Sequence, residues 1–295
     1  MDHKESFLQY LRVEKRYSPL TVRSYINDLD QFENHLISGG FSGNPSDITT
    51  GDIRSWIVCL VEKGYTAKSV HRKISSLRVF YRFLLKGGYV VSDPAVKVVL
   101  PKIRKRLPEF VAETSMDKLL DGNEFGDDFA GIRNSVIIEM LYTTGMRRAE
   151  LTGLKDTDVD IQGATVKVTG KRNKQRIIPL LKPFILRLEQ YIKIRNENFP
   201  DRVEEWFFIS DRGNKMYDKY VYNTVRRYLA MVTTIEKRSP HILRHSFATH
   251  MLNRGADLNS IKEFLGHASL SATQVYTHNS FEQLRKIYKQ AHPRA

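Results

Sequence analysis

The segment Ser239-Pro240-His241-Ile242-Leu243-Arg244-His245 decides how the chain is read. Ser239 is an N-cap residue, and Pro240 takes the first helical position, where its missing N–H is no loss, so a helix is predicted over about Pro240 to Arg254. Residues three and four apart stack on one helix face, which puts His241, Arg244 and His245 together. At a helix N-terminus the free N–H groups and the dipole favour an anion, and the planar guanidinium of Arg244 matches a phosphate through paired hydrogen bonds. Either histidine alone reads as a core or capping residue. The three together read as an anion site.

Upstream, Thr144-Gly145-Met146-Arg147-Arg148-Ala149-Glu150-Leu151 places an arginine at a glycine turn entering a helix. Asp160 to Val168 alternates as a strand does, Gly170 to Lys174 is a polar turn, and Arg176 to Leu180 forms a second strand closed by Pro179, which predicts a β-hairpin inserted among helices. Downstream, Leu265-Gly266-His267 ends a helix at a glycine, and Tyr276 follows nine residues after His267. Other helices are predicted over about Ser115 to Leu120, Gly131 to Thr143, Ala149 to Leu154, Pro183 to Asn198, Lys219 to Val232, Leu258 to Leu265, Ser271 to Tyr276 and Phe281 to Gln290.

The N-terminal third reads as four helices. Phe7, Leu8, Leu11 and Val13 give Lys4 to Lys15 an apolar face. Ser18-Pro19 starts a helix stopped at Gly39 and Gly40, Thr49 or Thr50 caps a third that ends at Gly64, and a fourth runs from about Thr66 to Leu85. That fourth helix carries Lys68, His71, Arg72, Lys73, Arg78 and Arg82, a basic edge of the size that enters a DNA groove, although a solvated face reads the same way. Pro101 and Pro108 then bracket Lys102, Arg104, Lys105 and Arg106, a basic linker. The fold class is therefore mainly α with a small β-hairpin, in two domains: 1–100 helical, 101–109 linker, 110–295 carrying the anion site.

Composition agrees with a polyanionic partner. Lys and Arg number 47 against 33 Asp and Glu, a formal net charge of +14, which favours nucleic acid. Cys59 lies in an apolar pattern and reads as a core residue. Charges scattered through Met1 to Arg12 and the lack of any long apolar run give no membrane span and an expected cytoplasmic location. Asp156, Asp158 and Asp160 resemble the start of a calcium loop, but Ile161 stands where glycine is needed, so no metal site is expected. Gly170-Lys171 lacks the spacing of a phosphate-binding loop, and no Gly-x-Ser-x-Gly elbow occurs, which argues against an ATPase and a serine hydrolase.

What remains is a set of cations with one phenol, and here the chain resembles the tyrosine recombinases, the phage integrase family, most closely their Xer branch. The resemblance spans both domains, from Ser18-Pro19 to His292-Pro293-Arg294-Ala295. It implies a two-domain, C-shaped DNA clamp, a helical core-binding domain plus a catalytic domain. It implies Arg147 and Arg244 as catalytic arginines, Lys171 as catalytic lysine, His241 and His267 as catalytic histidines, and Tyr276 as nucleophile. The physical chemistry agrees: two arginines can bind the charge growing on the phosphate, His241 can assist loss of the phenol proton, and Lys171 can protonate the leaving 5′ oxygen. The phosphotyrosyl bond conserves the phosphodiester energy, so no cofactor is expected.

Expected DNA contacts are Lys68, Arg72, Lys73, Arg78, Lys102, Arg104, Arg172 and Lys174. Arg172 and Arg148 depart from the family's usual small residues, which leaves open which cation of each neighbouring pair faces the phosphate. The resemblance further implies a double-stranded recombination site, a tetramer on DNA (of one recombinase or of two related ones), and a septal DNA translocase as partner. Phe281, Leu284, Ile287 and Tyr288 give the last helix an apolar face for a neighbouring protomer or for its own domain. Rival readings are a mobile-element integrase, a type IB topoisomerase, and a DNA-binding protein without catalysis.

Overall fold

A computed structural model describes residues 3–41, 44–103, 109–170, 173–203, 205–266 and 278–294, with side chains from 284 onward in the last helix. The chain divides into two compact units, Met1–Arg106 and Leu107–Ala295.

The first unit is helical throughout. Helix α1 (His3–Gln9) runs into a wider π turn (Tyr10–Glu14) and is followed by α2 (Pro19–Ser38), α3 (Thr50–Glu62) and α4 (Ala67–Lys86). The predicted caps form: Ser18 Oγ accepts the Thr21 amide, Thr49 and Asp52 cap each other reciprocally, and Thr66 accepts the Ser69 amide. Phe7, Leu11, Phe32, Trp56, Ile74 and Leu77 build one core, with the Phe32 and Trp56 rings 5.0 Å apart. Cys59 is half-buried beside it.

Inside that core lies a buried ion cluster. Asp28, 1% exposed, accepts from Lys73 Nζ at 3.0 Å, Ser76 Oγ at 2.8 Å and Arg72 Nη2 at 2.7 Å; Lys73 also donates to Gln31 Oε1 at 2.5 Å. One carboxylate thus answers two cations, and truncating it would leave Lys73 as an uncompensated buried charge.

The second unit forms around α6 (Phe129–Thr144), buried on nearly every side from Val136 to Thr144, so it has no polar face and sits at the centre. Around it lie α5 (Glu113–Asp121), α7 (Arg148–Thr152), α8 (Lys182–Asn198), α9 (Asp218–Val232), α10 (Pro240–Asn253), α11 (Leu258–Leu265) and α12 (His278–Ala291). A three-stranded antiparallel sheet, β1 (Val159–Asp160), β2 (Thr165–Thr169) and β3 (Gln175–Pro179), flanks it in the order β1-β2-β3.

The sheet corrects one expectation. The stretch from Asp160 to Val168 is not one strand, because a turn at 161–164 folds it back. Asp160 Oδ1 accepts the Gly163 amide at 2.8 Å, and Ala164 takes a positive φ of 52°. The three aspartates here serve structure: Asp158 caps Lys155, Asp160 closes this turn, and Asp156 pairs with Arg195 and Arg202.

The C-terminal helix α12 packs against its own domain. Leu284 and Tyr288 are buried in the core, and Tyr288 Oη donates to the Thr143 carbonyl at 2.8 Å. Beyond it His292 is 1% exposed, and Arg294 pairs with Asp121 at 2.7 Å and Asp117 at 3.2 Å. Of the apolar face of α12, read from sequence as available to a neighbour or to its own domain, Leu284 and Tyr288 are buried and Ile287 is half-buried within the chain, and the Phe281 side chain lies outside the described residues.

Candidate active site

Helix α6 delivers the chain to the site and stops there. Gly145 ends it with φ 59°, its N–H bonded to the Leu141 carbonyl. A Cβ at this position would lie 2.6 Å from the Phe247 ring and 3.0 Å from Leu265 Cδ2, so both backbone and neighbours require glycine. The turn throws Arg147 to the N-cap of α7 and sets Glu150 three residues on. Glu150 accepts the Arg147 backbone N–H at 2.7 Å and Arg147 Nη1 at 2.8 Å. The Arg147 side chain remains about a third exposed (32%), with Nη2 3.5 Å from the Gly266 carbonyl.

From α10, Arg244 reaches the same place. It is 9% exposed and donates from Nη1 to Gly145 O and from Nη2 to Leu265 O, both at 2.6 Å. This one side chain fastens the turn after α6 to the C-terminus of α11. Gly266 closes that helix with φ 62°, and a Cβ there would meet Arg176 Nη1 at 3.2 Å.

Arg176 is the third guanidinium. It lies on the inner face of β3, opposite Val168, and its fork takes both oxygens of Glu150 at 3.0 and 2.9 Å while Nε donates to Phe264 O at 2.7 Å. Three arginines therefore surround one carboxylate, leaving a net positive site. Burial, then the charges of Arg147 and Arg176, lowers the Arg244 pKa to about 10, which leaves it protonated at neutral pH. Burial raises the Glu150 carboxyl, but the pairing with Arg176 and Arg147 outweighs it and holds the group below its ordinary range, ionised.

The expected site residues divide into three groups. Arg147 and Arg244 come together as expected, and His241 stands exposed on the first turn of α10. Ser239 occupies the N-cap with extended backbone, but its side chain makes no capping hydrogen bond, and Pro240 is at the first position as read. Lys171, His267 and Tyr276, with Arg172, lie outside the described residues. The described residues before Lys171 and His267 meet the cluster: a Cβ on Gly170 would lie 3.3 Å from Glu150 Oε1, its N–H donates to Lys174 O at 2.7 Å, and Gly266 packs on Arg176. Of the adjacent cations, Arg148 turns to Asp218 at 3.0 Å, so Arg147 alone of the two faces the cluster.

The expected DNA contacts sort by exposure. Lys68, Lys102 and Lys174 are exposed, and Arg72 keeps half of its side chain in solvent while bonded to Asp28 and Ser24. Arg104 lies outside the described residues. One is corrected. Lys73 is 2% exposed in the Asp28 cluster, so it answers a buried carboxylate in place of a phosphate, whereas half-buried Arg78 donates to the carbonyls of Ala95 at 3.0 Å and Val98 at 3.4 Å.

Sequence reading missed Glu150 and Arg176. The Arg147–Glu150 spacing, a capping pair at a helix start, was a signal for the first. A charged residue at an inward strand position, two before the buried Ile178, was the signal for the second.

A cationic cluster between a glycine turn, a hairpin and a helix end suits an anionic substrate, and sequence comparison agrees. Residues 107–283 match the phage integrase family and residues 5–88 the N-terminal SAM-like domain of phage integrases. The chain belongs to the phage integrase family: it is a tyrosine recombinase, an enzyme that cleaves and rejoins DNA strands. It is 38% identical to the tyrosine recombinase XerC of Chlorobaculum parvum over 316 residues, covering 99% of this chain and 94% of that one. In fold it is similar to the XerH site-specific recombinase bound to a palindromic difH substrate in a post-cleavage complex, with TM-score 0.72, 22% identity, and 96% and 82% of the two chains covered. A lambda integrase tetramer bound to a Holliday junction is also similar in fold, with TM-score 0.68, 18% identity, and 94% and 79% covered. No helix among the described residues is long and apolar enough to cross a membrane.

Proposed function

We propose that this recombinase acts at a single chromosomal site and resolves chromosome dimers before segregation, with Tyr276 as its nucleophile. The convergence of Arg147 and Arg244 on the adjacent carbonyls of Gly266 and Leu265 at the end of α11 carries the reading of the chemistry. In that reading the two guanidiniums bind the non-bridging oxygens of the scissile phosphate as Tyr276 attacks, and they bind the more highly charged transition state more tightly. His241 accepts the phenol proton, His267 donates to a phosphate oxygen, and Lys171 protonates the departing 5′ oxygen. The product is a 3′-phosphotyrosyl link, and attack on it by the 5′ hydroxyl of another strand completes exchange.

Lys68, Arg72, Lys102, Arg104, Arg172 and Lys174 supply phosphate contacts along the duplex. Their number fits a protein whose net charge is +14. The working assembly is a tetramer on two duplexes in the cytoplasm, formed by this chain alone or with a related recombinase, and a septal DNA translocase is its activating partner. Likeness in fold to a recombinase tetramer supports the first of these, and the XerC names of full-length relatives support the chromosomal role.

Covalent adducts mapped on genomic DNA test the proposal. One site near the replication terminus is expected; adducts at the ends of a mobile element would replace the chromosomal role with integration. Efficient relaxation of supercoiled DNA that lacks such a site would favour a topoisomerase.

A further inference from the structure

We infer that Arg176 is a positioning residue for strand cleavage, aiming Arg147 at the phosphate through Glu150. The inference rests on the reading of Arg147 as a phosphate ligand. Glu150 holds Arg147 twice, by its backbone N–H and by Nη1, and with a 3% exposed side chain it has almost no water to orient it. What orients the carboxylate is the paired fork of Arg176, which occupies both oxygens at 3.0 and 2.9 Å. Arg147 is about a third exposed and free to take other rotamers unless Glu150 is fixed.

Arg176 does more than fill an ion pair. Its Nε bond to Phe264 O, beside the Leu265 carbonyl that Arg244 takes, ties β3 to the end of α11. Because β3 leaves the hairpin that carries Lys171, the same side chain fixes the base of the hairpin against α7. Gly266 gives independent support, since the nearest neighbours of its missing Cβ are Arg176 Nη1, Cδ and Cζ at 3.2 to 3.5 Å. A side chain at this position would crowd the guanidinium. Loss of aim by about an ångström at a charged transition state is worth on the order of a hundredfold in rate.

Single-turnover cleavage of a nicked suicide duplex carrying the mapped site tests this with Arg176→Lys, Glu150→Gln and Arg147→Lys. Each is assayed on a normal phosphodiester and on a neutral methylphosphonate at the scissile position, and duplex binding is measured in parallel. Arg176→Lys keeps the charge but loses the fork, and Glu150→Gln keeps the shape should the lysine variant fail to fold. Both are expected to slow cleavage of the charged linkage about a hundredfold, to lose far less on the neutral one, and to bind duplex within a few-fold of wild type. Equal losses on both linkages would mean that Arg176 only supports the fold, and unchanged cleavage would mean that it does not act at all; either overturns the inference. Normal cleavage by Arg147→Lys would overturn the reading of the site and the inference with it.

Discussion

Lowering the pH from 7.5 to 5.5 is expected to destabilise the second unit by about 1.4 kcal/mol through His292 alone. Its ring is buried against Tyr288 at 4.9 Å, Phe247 at 5.8 Å and Tyr142 at 6.1 Å, and Nδ1 accepts the Arg294 backbone N–H at 3.1 Å. Burial, then the charges of Arg294, Arg254 and neighbouring His250, lowers its pKa to about 3. The sign follows from linkage. An unfolded histidine protonates near pH 6.5 and this one does not, so its contribution is fully present above 6.5 and is lost as pH falls towards 3. One pH unit below 6.5 corresponds to about 1.4 kcal/mol. Burial shifts His250 in the same direction, whereas the Glu139 carboxyl, raised by burial, works oppositely, so a variant is needed to isolate His292. The chain has two tryptophans, and in a Trp56→Phe background Trp206 reports the second unit alone during urea unfolding. His292→Asn should lower stability at pH 7.5 and remove at least about 1 kcal/mol of the pH dependence. An unchanged pH dependence in the variant would refute the burial of a neutral imidazole, and with it the docking of the C-terminal segment on its own domain.

Other expectations concern both units. Arg244→Lys leaves the Gly145 or Leu265 carbonyl without its donor, a cost of about 1–3 kcal/mol seen as a lower melting temperature, and it should slow covalent cleavage on the order of 10²- to 10³-fold. Asp28→Ala strands Lys73 in the first core and should cost about 3–5 kcal/mol in urea unfolding, more than Lys73→Met, which removes the buried cation. Lys68→Ala should reduce the salt slope of duplex binding by about one, while the buried Lys73 should leave that slope unchanged when replaced in a folded variant.

Much of the fold was legible because caps and glycine stops speak locally. Ser18-Pro19, Thr49, Thr66 and Gly145 each mark an end that the structure keeps. The sheet was harder, since Ala164 adopts a left-handed conformation that only the side chain of Asp160 and the pairing of β1 with β2 explain. At the site, the arginines announced themselves by neighbouring glycines and histidines, but Glu150 and Arg176 are 26 residues apart and meet only when the sheet packs beside α7 through β2. Lys73 shows the converse. It falls within the apolar stripe of Val70, Ile74 and Leu77, and its burial depends on Asp28, which lies on another helix. Charge counts alone cannot separate a cation that faces DNA from one that answers a buried carboxylate.

Tyr276 is the proposed nucleophile. Trapping the protein on a nicked suicide duplex and sequencing the modified peptide by mass spectrometry should place a 3′-phosphonucleotide on Tyr276, and Tyr276→Phe should bind the duplex nearly as well and form no adduct. An adduct on another residue, or one that survives Tyr276→Phe, would contradict it.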